Sequence, residues 1–154
     1  TWQALERLYQ EKRVRAIGVA NYLVPFLEEL KTYAEVVPTV NQVEFSPYLF
    51  LGDLLQMCKE SGIVLQAYSP LVRGQKMDDL KLLHLAKKYD KTPAQVILRW
   101  AIQLGVSTIP KSSNPQRLQE NFDIWDFEIS PEDMLQLNHF NENYRVVDDP
   151  IEML

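Results

Sequence analysis

The sequence predicts an α/β fold on a parallel sheet, of the (β/α)8 TIM-barrel type but with only four strand–helix units, a half-barrel. Three observations lead there. Short β-branched runs alternate with stretches of helical period, and strands separated by helices run parallel with right-handed crossovers. Strand starts at positions 14, 38 and 63 recur at a spacing shared by barrels and open α/β sheets. The strands also end in polar residues: Asn21, then Gln42 and Glu44, then Tyr68 and Ser69, then Lys111 and Ser112. Barrels carry their sites on the C-terminal rim of the strands, so polar groups on one rim favour the barrel.

Taken in order, Trp2, Leu5, Leu8 and Tyr9 share the core face of an opening helix, with Glu6, Arg7 and Gln10 opposite. The first strand is expected from Val14 to Asn21. Pro25 opens a helix burying Phe26, Leu27, Leu30, Tyr33 and Ala34. The second strand runs from Pro38 to Phe45, and Ser46-Pro47 ends it. A helix through Leu51, Leu54, Leu55 and Cys58 stops at Gly62, a C-terminal cap. The third strand is expected from Ile63 to Ser69, followed by a loop from Pro70 to Met77 with Gly74 and two cations. A helix spans Asp78 to Tyr89. Thr92-Pro93 with Gln95 forms a capping box for a helix with Val96, Ile97, Trp100 and Leu104 inward, closed by Gly105. The fourth strand runs from Val106 to Ile109. Ser130-Pro131 with Asp133 starts a last helix that ends near Phe140. The whole reads as one segment, 1–154, with barrel elements in 1–140 and a tail in 141–154.

Composition narrows the function classes. A net charge of −5 argues against a general nucleic-acid surface, so any cation cluster must be local. Cys58 is the only cysteine, which precludes an internal disulfide and fits a reducing, cytoplasmic setting. No apolar run is long enough to span a membrane. Two distant histidines, His84 and His139, and one cysteine make no zinc-ligand spacing; the histidines read as packing or surface residues.

The stretch from Ser107 to Asn121 carries the local cation cluster. Asn114 is a good N-cap and Pro115 a good first helical residue. Lys111, Ser112, Ser113 and Arg117 then gather around the amides of a helix start. Free amides, a helix dipole, two hydroxyls and two cations suit an anion such as phosphate. Read locally, the same stretch also fits a solvated turn with two surface cations.

Four segments occur in the order found in one family. Gly18-Val-Ala-Asn21, Asn41-Gln-Val-Glu44 with Ser46-Pro-Tyr48, Ala67-Tyr-Ser-Pro-Leu71, and Ile109-Pro-Lys-Ser112 followed by Asn114-Pro, Arg117 and Glu120-Asn121 resemble the aldo-keto reductases. The resemblance runs from Thr1 to about Arg145 and implies the second half of that family's barrel. It implies that Asn21 and Gln42 hydrogen-bond the nicotinamide carboxamide of NADP(H) and that Tyr68 stacks on the nicotinamide ring. Ser69 and Leu71 would lie along the pyrophosphate, with the loop to Met77 folding over it. Lys111, Ser112 and Arg117 would hold the 2′-phosphate, and Glu120 and Asn121 would face the adenine. Ala20 stands where the family has Ser, removing one hydroxyl contact to the carboxamide.

The family's catalytic Asp, Tyr, Lys and His belong to the first half of the barrel, and no tyrosine here matches the catalytic one. The expected parent is an NADP-dependent oxidoreductase that reduces small-molecule aldehydes or ketones, and this chain alone is expected to be inactive. A complete barrel needs about 250 residues, and a lone four-strand wedge would expose two sheet edges and an apolar interior. The chain is therefore expected to be part of a longer protein, completed by the missing N-terminal half-barrel, or else to self-pair. An inactive half-barrel serving as a nucleotide-binding or regulatory module is the alternative. Trp2 and Trp100 read as core; Trp125 reads as core or as lining the barrel ring. Asp148-Asp149 read as solvated. Val146, Val147, Ile151 and Met153 of the tail are candidates to line a substrate pocket.

Overall fold

A computed structural model describes residues 1–153, with side chains through residue 152. Met153, as a pocket-lining side chain, and Leu154 lie outside the described residues. The order is α1 (Trp2–Gln10), β1 (Gly18–Ala20), α2 (Val24–Lys31), β2 (Val40–Glu44), α3 (Gly52–Glu60), β3 (Val64–Tyr68), α4 (Leu80–Lys88), α5 (Pro93–Gln103), β4 (Ser107–Thr108), α6 (Pro115–Phe122) and α7 (Pro131–Asn138). Short 3-10 turns sit at Val72–Gly74 and Pro150–Met153. The four strands form one parallel sheet in sequential order, with Ala20 opposite Gln42, Gln42 opposite Gln66 and Gln66 opposite Ser107.

Local chemistry explains the element ends. Thr92 and Gln95 exchange both bonds of a capping box, and Asn114 and Ser130 cap α6 and α7 with Pro at the first helical position. Gly62 and Gly105 follow helix ends at φ +70° and +79°, where a side chain would be strained.

Strand alternation divides the sheet. Asn41, Val43, Leu65 and Ala67 are buried on one face, which joins the helix-packed core. Trp100 of α5 stacks on Phe45 at 5.2 Å between ring centroids, and its indole N–H donates to Asn138 at 2.8 Å. The other face is open. It is more polar than the apolar interior expected: Gln42 donates to Gln66 at 2.7 Å, and Gln66 reaches the Ser107 hydroxyl at 3.4 Å. Val64 is the large exposed apolar side chain on this face, and Ala20, opposite Gln42, is also exposed on it.

Several expectations are corrected. The first and fourth strands are shorter than expected, with regular pairing confined to Gly18–Ala20 and Ser107–Thr108. Glu6 does not face solvent. It is buried, and one carboxylate oxygen accepts from the Trp2 indole at 3.0 Å and from the amides of Glu35 and Val36 at 2.8 Å each. Tyr33 lies past the end of α2 and is exposed, while Leu27 and Leu30 fill the core. Trp125 follows α6 and is 58% exposed, so it is not part of this chain's core. Asp149 is not simply solvated: it pairs with Arg145 at 3.1 Å and accepts from the Ile151 amide. Among the described residues no helix is long and apolar enough to cross a membrane.

Candidate functional site

The ends of β3 and β4, the segment after β3 and the starts of α5 and α6 enclose a cleft of about 720 Å³. Ser69, Leu71, Lys111, Ser112, Arg117, Glu120 and Asn121 all line it, seven of the ten residues singled out in the sequence. They converge because the polar turn follows β4 directly and Asn114 sets the start of α6 one step later. Arg73, Gly74 and Met77 from the segment after β3, and Thr92 to Ala94 from the start of α5, complete the walls.

The amides at the start of α6 are less free than expected. The Asn114 side-chain oxygen accepts from the amides of Gln116 at 2.9 Å and Arg117 at 3.3 Å. The Ser112 hydroxyl accepts from the Asn114 amide at 3.1 Å. The chain's own cap takes these donors, because a short polar side chain at the N-cap competes with any external anion for them. The cations remain. Among the described residues neither Lys111 nor Arg117 forms an ion pair. The attraction for an anion thus rests on two uncommitted charges and the helix dipole rather than on an amide nest.

Asn21, Gln42 and Tyr68 lie apart from that cleft. Asn21 adopts φ 60°, and its amide donates to the Gln42 carbonyl at 2.8 Å. It borders a second depression with Ala20, Tyr22, Phe26 and Pro150. Its side-chain oxygen is buried and unpartnered among the described residues, an arrangement that costs free energy unless a donor is supplied. The Gln42 amide nitrogen is engaged by Gln66, which leaves its oxygen as an acceptor on the open face. Tyr68 is opposite Glu44 in register. Burial pushes the Tyr68 hydroxyl above its ordinary pKa and the Glu44 charge adds to this, while Arg145, Arg73 and the Asn21 amide pull the other way.

Three supporting roles escaped the sequence reading. Gln66 has a role only through its register partners, so no local pattern marks it. Glu44, read as a rim residue, is buried and accepts from the amides of Val146 and Val147 at 2.7 and 3.2 Å, which fastens the tail to the sheet. Gln95, read as a cap, also donates to the carbonyls of Glu120 and Asp123, and Thr92 donates to the Glu120 carboxylate at 2.6 Å. These bonds tie the end of α6 to the start of α5 and fix one wall of the cleft.

His84 and His139 are exposed, and the His139 ring lies against its own helix at the Leu135 carbonyl. Among the described residues no group of His, Cys, Asp and Glu could hold a metal ion. Tyr48 is fully buried and its hydroxyl titrates far above the ordinary range, first through burial and then through the Asp79 carboxylate.

Parallel strands alternating with helices, with a polar cleft at the C-terminal strand ends, define an α/β protein with a candidate site on the strand rim. The Aldo/keto reductase family pattern matches residues 1–142, and the chain belongs to that family. It is 51% identical over 154 residues to glyoxal reductase of Bacillus subtilis, covering all of this chain and 56% of that protein. It is 48% identical over 153 residues to 9,11-endoperoxide prostaglandin H2 reductase of Trypanosoma cruzi, covering 97% of this chain and 54% of that protein. Among solved structures it resembles the Bombyx mori aldo-keto reductase AKR2E4 in complex with NADP. The TM-score is 0.87 and the identity 36%, over 96% of this chain and 51% of that one. An NADPH complex of a Gox0644 mutant matches with a TM-score of 0.91 and 36% identity, over 98% of this chain and 56% of that one. The chain spans about half the length of the curated relatives it matches.

Proposed function

We propose that this chain is the cofactor-gripping half of a (β/α)8 barrel, the C-terminal half, in an NADPH-dependent reductase of small aldehydes or ketones. The observation that carries the reading is the single cleft joining the β3 end to the start of α6. It gathers Ser69, Leu71, Lys111, Ser112, Arg117, Glu120 and Asn121 within about 720 Å³. Of the cations there, Lys111 and Arg117 at the start of α6 suit the 2′-phosphate that distinguishes NADP from NAD, and Arg offers a forked, permanently charged partner for it. The buried, unpartnered Asn21 oxygen and the free Gln42 oxygen are two acceptors suited to the two N–H groups of a carboxamide. Tyr68 would supply its ring face to the nicotinamide. Ser69 and Leu71 would border the pyrophosphate, and Glu120 and Asn121 the adenine. The chemistry such a cofactor supplies is hydride donation to a carbonyl carbon; this chain's part is to bind and orient it.

Fluorescence titration of the full-length protein with NADPH and NADH tests the reading. NADPH is expected to bind more tightly. Arg117→Ala is expected to weaken NADPH at least tenfold, because a hydrogen bond to a charged group contributes about 1.5–3 kcal/mol, and to leave NADH unchanged. An equal loss for both cofactors would remove the 2′-phosphate from Arg117, and no NADPH binding at all would overturn the assignment.

In this reading the acid chemistry lies outside this chain. The hydroxyls of Tyr48 and Tyr68 both titrate above their ordinary value, the wrong direction for a general acid near neutral pH. The chain alone is expected to bind NADPH without reducing a carbonyl. Turnover by residues 1–154 would reject the assignment of the acid chemistry to the missing half.

A further inference from the structure

The segment between β3 and α4 concentrates backbone strain. Ser69, Val72 and Arg73 have φ of 47°, 51° and 50°, a region that β-branched Val in particular avoids. The same segment supplies Ser69, Leu71, Arg73, Gly74 and Met77 to the cleft. Such a backbone persists only where its surroundings hold it. On the inside the holder is Val72, 1% exposed in the core.

On the outside it is Lys76. Its ammonium lies 2.8 Å from the Glu142 carboxylate, 4.4 Å from the centre of the Tyr144 ring and 5.3 Å from that of Tyr48. The Tyr144 hydroxyl donates to the side chain of the neighbouring Gln75. The stretch bearing Glu142 and Tyr144 is itself fixed, since both their amides donate to the Tyr48 carbonyl, at 3.1 and 3.0 Å. A few residues on, the buried Glu44 carboxylate accepts the amides of Val146 and Val147. A continuous set of contacts therefore runs from the sheet through residues 142–147 to the wall of the cleft.

We propose that Lys76 is a positioning residue: clasped by Glu142 and Tyr144, it holds the strained cleft wall against the C-terminal segment and so sets how long a dinucleotide stays bound. An isolated surface ion pair contributes little. This cation is also seated on aromatic rings, where the attraction grows with desolvation, and the backbone it restrains is strained. Loosening it should therefore speed release more than it alters encounter.

The inference rests on the nucleotide reading above, so its test has two readouts. In stopped-flow fluorescence of the full-length protein, Lys76→Met is expected to raise the NADPH dissociation rate about fivefold, with the association rate within twofold. Lys76→Arg, which can still pair with Glu142 and stack on Tyr144, is expected to restore the wild-type rate. Glu142→Gln should raise dissociation as Lys76→Met does, and the double variant should add little. In ligand-free hydrogen exchange, Lys76→Met should speed exchange in 70–79 and 141–147 together. Exchange in both segments without any NADPH binding to the wild type would retain the clasp and reject the nucleotide reading. Unchanged exchange, or exchange that rises in one segment alone, would overturn the clasp. An unchanged dissociation rate would overturn its role in retention.

Discussion

The two faces of the sheet are built from the same strands on opposite terms. Asn41, Val43, Leu65 and Ala67 alternate onto one face, none more than 2% exposed, under helices that add Leu27, Leu30, Leu54 and Trp100. Gln42, Gln66 and Ser107 alternate onto the other and bond to each other rather than to a covering layer. The buried polar residue of the covered face, Asn41, is locally satisfied: it donates to the Tyr22 carbonyl at 2.7 Å, and its oxygen lies 3.4 Å from the Tyr22 amide. Asn21, at the end of β1, is left with an unpartnered oxygen. One side of the sheet spends its interactions on holding the fold, whereas the strand-end rim keeps acceptors uncommitted. That division is what a binding site at the end of a parallel sheet requires.

The contrast predicts that the largest losses of stability come from the covered side. Trp100→Ala removes a fully buried ring stacked on Phe45 and leaves Asn138 without its indole donor. It is expected to cost about 3–5 kcal/mol, read as a lower urea midpoint. Asp133→Asn comes next. Burial opposes ionisation of Asp133, yet hydrogen bonds from Lys88, Tyr89 and Ser130 prevail and hold its carboxyl below the ordinary range. A depressed carboxyl contributes stability that is present above the unfolded pKa, about 3.9, and is lost as pH falls through the lower folded value. The variant is expected to lose about 1–3 kcal/mol at neutral pH and to flatten the acid limb of the stability profile. An acid limb identical to wild type would show that Asp133 does not couple folding to protonation.

The same contrast explains what was legible in the sequence. The covered side could be read because its signals are local. The capping box at Thr92 and Gln95, the caps at Asn114 and Ser130, and the left-handed glycines at Gly62 and Gly105 each depend on neighbours a few residues away. The family motifs marked the residues of the cleft, and seven of the ten meet there because Ser69, Leu71, Lys111 and Ser112 follow strand ends while Arg117, Glu120 and Asn121 lie on the helix that starts just after β4. What stayed hidden depends on distant partners. Glu6 reads as solvent-facing because its helical position does not reveal that two amides 29 and 30 residues ahead, with an indole one turn back, surround its carboxylate. Glu44 holds a tail more than a hundred residues away. Trp125 reads as core or ring lining by residue type, but it falls just past α6, where the chain runs over the surface.

The smallest expected effect lies on the open face, and it probes whether that face is organised for a ligand. Gln66→Leu keeps the size of the side chain and removes the acceptor that holds the Gln42 amide nitrogen at 2.7 Å. A half-exposed neutral hydrogen bond contributes about 1 kcal/mol or less, so the urea midpoint should barely move. If Gln66 serves to aim the free Gln42 oxygen, NADPH and NADH should weaken together, by a few-fold, because both carry the same carboxamide. That shared loss separates this side chain from Arg117, whose loss should fall on NADPH alone. Unchanged affinity for both cofactors would mean that the bond between Gln42 and Gln66 only joins strands and leaves the acceptor's direction to the ligand.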